Sequence, residues 1–251
     1  MSKGEKLDRL IADQLQAALP CAIIGREIIV LEQTGSTNDA ILQVASTQGA
    51  AVSSFPAVAS AKEGPSSLLD NGLVLFAEHQ TAGRGQRGNR WESTAGKGLW
   101  FSILLRPEIQ LSDSARLTIW AIEAISDVIR TEFDLKPAIK LPNDVLLYGH
   151  KVAGVLVEMR AQDKAPHLGV VGIGINVNQC RDDFPVELQE RAISLAMALG
   201  RQVDRQNFAV ALLRNLDVTY RKKFSKPVVA FNPSPAPTTT RNKRAERFRT
   251  A

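Results

Sequence analysis

The chain has 251 residues, 44% of them hydrophobic and 23% charged, which fits one large globular domain or two small ones. It contains no run of about 18 apolar residues and no signal-peptide core, so we expect a cytoplasmic protein without membrane spans. The net charge of +5 is a weak sign of nucleic-acid binding, because the last eleven residues, RNKRAERFRTA, carry +4 of it.

The first part of the chain predicts two helices around a strand. Apolar residues at helical spacing predict an amphipathic helix over residues 5–19, ended by Pro20. The segment EIIVLEQ predicts a strand, and STNDAILQVAS predicts a helix that Ser36 or Thr37 would cap. Residues 49–71 are rich in Ala, Ser, Gly and Pro and predict a long surface loop.

The rest of the chain predicts a sheet, helices and a tail. GLVLFAE and GLWFSILLRP predict strands, and SARLTIWAIEAISDVIRTEF predicts a long helix. AIKLPNDVLLYGHKVAGVLVEMR and HLGVVGIGINVN each predict a strand, a turn and a strand. Their apolar runs do not alternate, which is typical of strands buried on both faces. Residues 186–223 predict helices, and the composition from residue 226 onward predicts a disordered tail.

One stretch, EHQTAGRGQRGNRWESTAGKGLW at residues 78–100, combines glycines with arginines. Glycines allow close approach of backbone N–H groups to a ligand, and arginines supply forked donors, so the stretch suits a phosphate or carboxylate. It lacks the Gly-Lys-Ser/Thr of a P-loop, matches the dinucleotide fingerprint only as a bare pattern, and has one copy where an RGG-type RNA-binding segment has repeats. A plain hairpin with solvated arginines is the alternative. The residues concerned are Gly83, Gly85, Gly88, Arg84, Arg87 and Arg90.

A second polar segment is KLPNDVLLYGHK, where Asn143 and Asp144 are predicted to lie in a turn between Lys140 and Lys151. A carboxylate beside an arginine-rich loop can hold Mg²⁺ between nucleotide phosphates. Lys151, at the mouth of a buried strand, can stabilise charge on a carboxylate or phosphoryl oxygen. The alternative is a simple turn with solvated lysines.

Four segments, GSTND, QTAGRGQRGNRW, KLPNDVLLYGHKVAGVLVE and GIGINVN, occur in this order over about residues 28 to 223. Together they resemble the catalytic domain of biotin protein ligases, also called biotin–[acetyl-CoA-carboxylase] ligases. The resemblance implies an α+β fold related to class II aminoacyl-tRNA synthetases, with a mixed β-sheet flanked by helices. It also implies a catalytic domain at residues 28–225, preceded by a helix and lead-in at 1–27 and followed by a basic tail at 226–251.

The resemblance implies a two-step reaction. Biotin and ATP, with Mg²⁺, form biotinyl-5′-AMP and pyrophosphate, and the biotinyl group then passes to a lysine of the biotin carboxyl carrier protein of acetyl-CoA carboxylase. Both partners of the first step are negative, so the site needs cations rather than an enzyme nucleophile. This agrees with a sequence that shows no Ser/His/Asp arrangement. The expected protein is a monomer or homodimer that binds neither specific DNA nor a membrane.

The resemblance also assigns roles to individual residues. Catalytic roles fall to Lys151, Arg84 and Asp144, and Asp144 is also the expected Mg²⁺ contact. Nucleotide contacts are expected from Arg84, Arg87, Trp91, Lys140, Asn143 and Asn176. Biotin contacts are expected from Ser36, Thr37, Asn38, Gln80, Gly83, Arg84, Gly85, Gln86, Lys151 and Gly154, the last as the glycine that lets its strand lie against the bicyclic ring.

The sequence departs from the family in three ways. Gln86 stands where the family often has an arginine that helps to hold the adenylate. No N-terminal winged helix-turn-helix is expected, and the tail does not predict the SH3-like β domain that ends many bacterial members. An inactive biotin-binding remnant is therefore one alternative. A lipoate–protein ligase on the same fold is another, and a nucleic-acid-binding protein is the third.

Overall fold

A computed structural model describes residues 8–19, 22–46, 71–162 and 166–224. These residues form five α-helices: α1 Ala12–Ala17, α2 Thr37–Ser46, α3 Ala115–Phe133, α4 Leu195–Leu199 and α5 Arg205–Phe224. They also form seven strands: β1 Ile28–Thr34, β2 Val74–Gln80, β3 Gly98–Leu105, β4 Ala138–Lys140, β5 Asp144–Leu147, β6 His150–Arg160 and β7 Leu168–Asn176.

All seven strands belong to one sheet in the order β1-β2-β3-β7-β6-β5-β4. β1 and β2 are parallel, and every other neighbouring pair is antiparallel. Every residue of the central strands β3 and β7 is buried, as their unbroken apolar runs predict. The expectation of a mixed sheet flanked by helices is thus confirmed.

The helices cover the two faces of the sheet unequally. α3 and α5 pack together on one face, where Trp120 meets Tyr220 with ring centroids 5.5 Å apart. α2 packs on the other face, through Ile41 and Val44, against apolar side chains of β1, β2 and β3. On this face α2 contacts β2, β3 and β7. The surface of β5 and β6 on the same face lies next to the helix.

Three element predictions are wrong in detail. HLGVVGIGINVN forms one strand, because Gly172 and Gly174 pair in register with β3 and β6 instead of turning. The segment around KLPND forms three strands rather than two. Residues 186–223 are helical only in part, because Ala192 leaves helical geometry to bridge to Lys151.

Other predictions fall partly or wholly outside the described residues. The N-terminal helix is described only from residue 8 and spans Ala12–Ala17. The surface loop over 49–71, apart from its last residue, and the tail over 226–251 lie outside the described ranges. Among the helices that are described, none has the length and apolar character needed to cross a membrane.

Candidate active site

A row of cross-strand partners runs across five strands of the sheet. Trp100 on β3 pairs with Gly174, Gly174 with Gly154, Gly154 with Asp144, and Asp144 with Lys140 on β4. Directly paired residues present their side chains on the same face. The two central positions carry no side chain, so the row forms a trough between Trp100 and Asp144, on the face that α2 partly covers.

The indole of Trp91 occupies this trough. A Cβ atom on Gly174 would lie 2.4 Å from Cε2 of Trp91, and one on Gly154 would lie 2.9 Å from Cζ3. Trp91 meets Trp100 edge to face, with ring centroids 6.0 Å apart. Its buried Nε1 has no hydrogen-bond partner among the described residues. The glycine at position 154 therefore makes room for Trp91 and for Lys151, whose Cε would also lie 2.9 Å from that Cβ. Its predicted contact with the biotin ring stays a prediction.

The glycine- and arginine-rich stretch folds back on itself as a hairpin, which places Trp91 in the trough. Trp91 N donates to the Gly83 carbonyl at 2.9 Å, and Gly85 N donates to the Asn89 carbonyl at 2.7 Å. Arg87 closes the tip in left-handed geometry, with φ of 58°. Gly83 is buried at the base of this hairpin. The tip residues Gln86 and Arg87 do not line either cavity described below.

The first cavity, of about 40 Å³, lies between the N-terminus of α2 and the trough. Most of the predicted biotin-binding residues meet here although the chain separates them widely. The predicted residues that line it are Ser36, Thr37, Asn38, Gln80, Arg84, Gly85, Lys151 and Gly154. Asn143, predicted to contact the nucleotide, also lines this cavity, and its side-chain amide donates to the Val155 carbonyl at 3.0 Å.

One end of the first cavity is a buried polar network. Gln80 Oε1 accepts from the Thr37 backbone N–H at 2.8 Å, and Gln80 Nε2 donates to Ser93 Oγ at 3.1 Å. Ser102, which is fully buried on β3, lies 2.8 Å from Thr37 Oγ1 and donates to Asn38 Oδ1 at 2.6 Å. The cavity therefore ends in amides and hydroxyls that are already fixed in direction.

Lys151 reaches the trough because β6 contains a bulge. Val145 pairs with Ala153 but Leu146 pairs with Lys151, so Val152 is an extra residue. Lys151 lies three positions before Gly154, a spacing that places side chains on opposite faces of a regular strand. The bulge re-aims Lys151 onto the same face as Gly154.

The Lys151 ammonium is held between Asp144 and the Trp91 ring. Its Nζ lies 2.6 Å from Asp144 Oδ1 and 5.2 Å from the centre of the Trp91 ring. The main chain of Lys151 bonds to Arg191 O at 2.8 Å and to Ile193 N at 3.0 Å. This chain segment is the one that interrupts the predicted helices, so the local departure from helix fixes the position of Lys151.

A second, wider cavity of about 670 Å³ lies on the other side of Trp91. Trp91 and Lys151 line both cavities and so form the boundary between them. Of the residues predicted to contact nucleotide or metal, the second cavity is lined by Trp91, Lys140, Asp144 and Asn176. Asn176 is only 4% exposed, and its amide donates to the main-chain carbonyls of Lys151 at 3.3 Å and Ile193 at 3.2 Å.

Arg84 is paired with two carboxylates. Its Nη2 lies 2.8 Å from Asp39 Oδ1 and 3.0 Å from Glu158 Oε2. Arg84 lines the first cavity and, like Arg87, is absent from the lining of the second. An anionic ligand would have to compete with these two carboxylates for the guanidinium.

Sequence interpretation missed Ser102, Glu158, Gly172 and Gly174. The two glycines had a readable signal, since glycines two apart in a strand leave adjacent gaps on one face. A Cβ atom on Gly172 would lie 2.3 Å from Asn38 Oδ1. Ser102 and Glu158 gave no such signal, because their roles depend on which strands are neighbours.

Sequence comparison shows a matching family and several similar proteins. Residues 50–176 match the model of the family described as "Biotin/lipoate A/B protein ligase family". The bifunctional ligase/repressor BirA of Bacillus subtilis is 40% identical over 150 residues, 60% of this chain and 46% of that protein. The biotin–[acetyl-CoA-carboxylase] ligase of Mycobacterium tuberculosis is 34% identical over 196 residues, 76% of this chain and 63% of that protein. The match therefore spans about half the length of the Bacillus relative.

Solved structures have the same fold. The biotin protein ligase from Aquifex aeolicus in complex with biotin and ATP superposes with a TM-score of 0.60 at 27% identity, covering 80% of this chain and 74% of that chain. Its apo structure gives a TM-score of 0.56 at 26% identity, covering 80% and 71%. With half of its length matched by the family model and its fold shared with these enzymes, the chain belongs to the biotin/lipoate A/B protein ligase family.

Proposed function

We propose that this protein activates biotin with ATP to biotinyl-5′-AMP and transfers the biotinyl group to a lysine of a biotin carboxyl carrier protein. One observation carries the proposal: two cavities meet at Lys151 and Trp91, so each of two ligands can present its reactive end at one ammonium group. The names of the Mycobacterium and Aquifex relatives support biotin and ATP as the two ligands.

Lys151 suits the first step on electrostatic grounds. A carboxylate oxygen of biotin attacks the α-phosphorus of ATP, a P–O bond forms, and pyrophosphate leaves with the electrons of the bond that breaks. Both reactants are anions, so a fixed ammonium group at their meeting point lowers the repulsion between them and stabilises charge on the phosphoryl oxygens. No group of the protein needs to be adenylylated or acylated in this step.

The polar end of the first cavity favours biotin over lipoate, the other substrate in the family name. The ureido ring of biotin has two N–H donors and one carbonyl acceptor, whereas a dithiolane ring offers only two sulfurs. Thr37, Asn38 and Gln80 present amide and hydroxyl groups there, and each is less than 9% exposed. A dithiolane could not use the hydrogen-bonding capacity that these groups have left after pairing with one another, whereas a ureido ring can.

The second cavity suits a nucleoside triphosphate. Lys140, Arg90 and Arg191 offer positive charge on a wall that also carries four carboxylates, Asp144 among them, and the Trp91 ring offers an apolar face. Asp144 would hold Mg²⁺, and the bound ion would neutralise negative charge on the phosphates. The described residues contain no group of three or more His, Cys, Asp or Glu side chains placed to bind a metal. Asp144 alone can serve Mg²⁺, since that ion usually takes one or two carboxylates and completes its shell with phosphate and water.

The second step needs access for a protein lysine. Its amine attacks the acyl carbon of the mixed anhydride, an amide forms, AMP leaves and the amine loses a proton. The acyl carbon lies beside Lys151 in this proposal, at the boundary that the open second cavity reaches. We therefore expect the carrier, such as that of acetyl-CoA carboxylase in the cytoplasm, to approach from the side of the second cavity.

The first half-reaction tests the proposal without a carrier. Purified protein is incubated with biotin and MgATP, and biotinyl-5′-AMP is quantified by mass spectrometry, with biotin or ATP omitted in controls. We expect Lys151→Ala to slow adenylate formation by at least about 100-fold, the scale of losing one charge-stabilising group. Lys136→Ala, which removes an exposed lysine outside both cavities, is the matched control and is expected to behave as wild type. Wild-type protein that forms no adenylate contradicts the proposed function.

A further inference from the structure

Glu158 on β6 touches two residues of the first cavity through a single oxygen. Its Oε2 accepts from Asn38 Nδ2 at 2.6 Å and from Arg84 Nη2 at 3.0 Å. Asn38 comes from the first turn of α2, and Arg84 comes from the hairpin. The carboxylate therefore joins three separate parts of the chain where the first cavity ends.

The contact with Glu158 decides which way the Asn38 amide points. A carboxylate beside a guanidinium only accepts hydrogen bonds, so the Asn38 atom that faces it must be the NH₂ group. The other contact, to Ser102 Oγ at 2.6 Å, does not decide the direction, because a hydroxyl can donate to Oδ1 or accept from Nδ2. Without Glu158, the amide could turn over and keep its bond to Ser102.

The direction of this amide determines what the cavity offers to a ligand. Asn38 is 3% exposed and lines the cavity, so its remaining N–H and its remaining carbonyl lone pair have little access to bulk water. Turning the amide over would exchange a donor for an acceptor at fixed positions. A ligand with its own donors and acceptors distinguishes these two arrangements.

We infer that Glu158 is a positioning residue for biotin: it fixes the direction of the Asn38 side-chain amide and thereby sets the hydrogen-bonding pattern of the cavity. The inference rests on the proposed function for the identity of the ligand. It does not make Glu158 a ligand contact, since Glu158 does not line the cavity itself.

Biotin binding measured by calorimetry tests the inference on the full-length protein. We expect Glu158→Ala to weaken the Kd for biotin about tenfold, the usual size of a lost buried hydrogen bond to a charged group. Glu158→Gln keeps a carbonyl that can accept from Asn38, so we expect it to restore the Kd to within about twofold of wild type. Asp39→Ala is the matched control: it removes the other partner of Arg84 and leaves the Asn38 contact intact.

A double-mutant cycle separates this role from general destabilisation. If Glu158 acts through Asn38, the Asn38→Ala and Asn38→Ala/Glu158→Ala proteins bind biotin equally well, whereas independent effects would multiply. Effects that multiply, or an Asp39→Ala protein as weak as Glu158→Ala, would overturn the inference. Equal thermal midpoints across the set show that folding is not the cause.

A readout without biotin keeps the inference distinct from the proposed function. In ¹⁵N-labelled protein, the two Asn38 side-chain NH₂ proton resonances, assigned by their loss in Asn38→Ala, are expected to shift in Glu158→Ala and not in Asp39→Ala. Unshifted resonances would overturn the inference even if wild type binds biotin. Shifted resonances in a wild type that binds no biotin would sustain the role of Glu158 at Asn38 and count against the proposed function.

Discussion

Two glycines on adjacent strands, Gly154 and Gly174, decide what can enter the site. They leave the middle of a fully paired sheet without side chains, and the Trp91 indole lies in that space. Close packing of this kind tolerates little added volume, because a side chain must move when another atom enters its contact distance. The shape of both cavities thus depends on positions that contribute no functional group.

Gly174→Ala tests this dependence. The added Cβ would lie within 2.7 Å of three atoms of the Trp91 ring, so the ring must leave the trough. We expect the Kd for biotin, measured by calorimetry, to weaken by about tenfold or more, in keeping with a core position that is overpacked. Gly35→Ala is the control, since a Cβ there meets nothing within 4 Å. Unchanged biotin affinity in Gly174→Ala would show that the trough does not shape the site.

At the residue scale, the sequence predicted which residues form the site better than it predicted the contacts between them. Ser36, Thr37 and Gln80 could be predicted as one pocket only through the resemblance, because nothing in their spacing shows that β2 ends beside α2. The face on which Lys151 lies could not be predicted, since it depends on a bulge that adds one residue to β6. Glu158 and Ser102 were missed because their partners lie on α2 and in the hairpin, far away along the chain.

At the scale of elements, a buried ion-pair network joins α5 to the N-terminal segment and the sheet. The Arg205 side chain is 0% exposed, and its Nη1 donates to Glu78 Oε2 at 2.8 Å and to the Gly98 carbonyl at 3.0 Å. Its Nε lies 3.2 Å from Asp8 Oδ2, and Leu10 N donates to Glu78 Oε1 at 2.9 Å. Helix α5 is therefore fixed to the strand that leads into the glycine- and arginine-rich hairpin.

Arg205→Met tests the strength of this network. It leaves Glu78, which is 6% exposed, without its charged partner in a site that water does not reach. Removing one member of a buried ion pair lowers the free energy of unfolding by about 3–5 kcal/mol, and we expect this loss in urea denaturation. Arg201→Met, at an exposed position, is expected to change the value by less than about 0.5 kcal/mol. A similar small change in Arg205→Met would mean that the network contributes little.

Asp183 fixes the turn that begins at Cys180. This turn comes directly before Phe184, which lines the second cavity. Lys97 Nζ lies 2.8 and 2.6 Å from the two carboxylate oxygens of Asp183, and Cys180 N donates to this carboxylate at 2.8 Å. Burial raises the pKa of Asp183, but hydrogen bonds from Lys97 and Cys180 together lower it more, so its pKa lies below the ordinary value of 3.8.

This lowered pKa gives the contribution of Asp183 to stability a definite pH dependence. A carboxyl group whose pKa is lower in the folded than in the unfolded state stabilises the fold above its unfolded pKa, and the effect is lost as pH falls through the folded pKa. We therefore expect wild type to exceed Asp183→Asn in unfolding free energy at about pH 6 and the gap to shrink at about pH 3. Denaturant titrations of both proteins at each pH measure it, and a gap that stays constant would contradict the assignment.

The element boundaries show where sequence patterns mislead. In β7 the glycines of GIGIN look like a turn, yet each pairs on both sides, and the strand continues. The helices predicted over residues 186–223 are interrupted at Ala192 because that segment bonds to β6, a long-range contact that local propensity does not contain. The long apolar strands and α3 were predictable because the spacing of their apolar residues indicates whether one face or both faces are buried.

At the scale of the whole molecule, one face of the sheet supplies stability and the other supplies the site. α3 and α5 bury the first face with a continuous apolar core that includes Trp120 and Phe101. On the other face α2 covers only part of the sheet, and the Trp91 ring of the hairpin lies in the trough. The fold class followed from the resemblance and from the strand and helix patterns, whereas the strand order, which creates the trough, did not.

The transfer of biotin to a carrier tests the central claim most directly. Protein, biotin, MgATP and a biotin carboxyl carrier domain are mixed, and the carrier is followed by intact mass. We expect the carrier to gain one biotinyl group with wild type and with Lys136→Ala, and none in the same time with Lys151→Ala. A carrier whose mass stays unchanged with wild type, or a Lys151→Ala protein as fast as wild type, would contradict a ligase that joins its two substrates at Lys151.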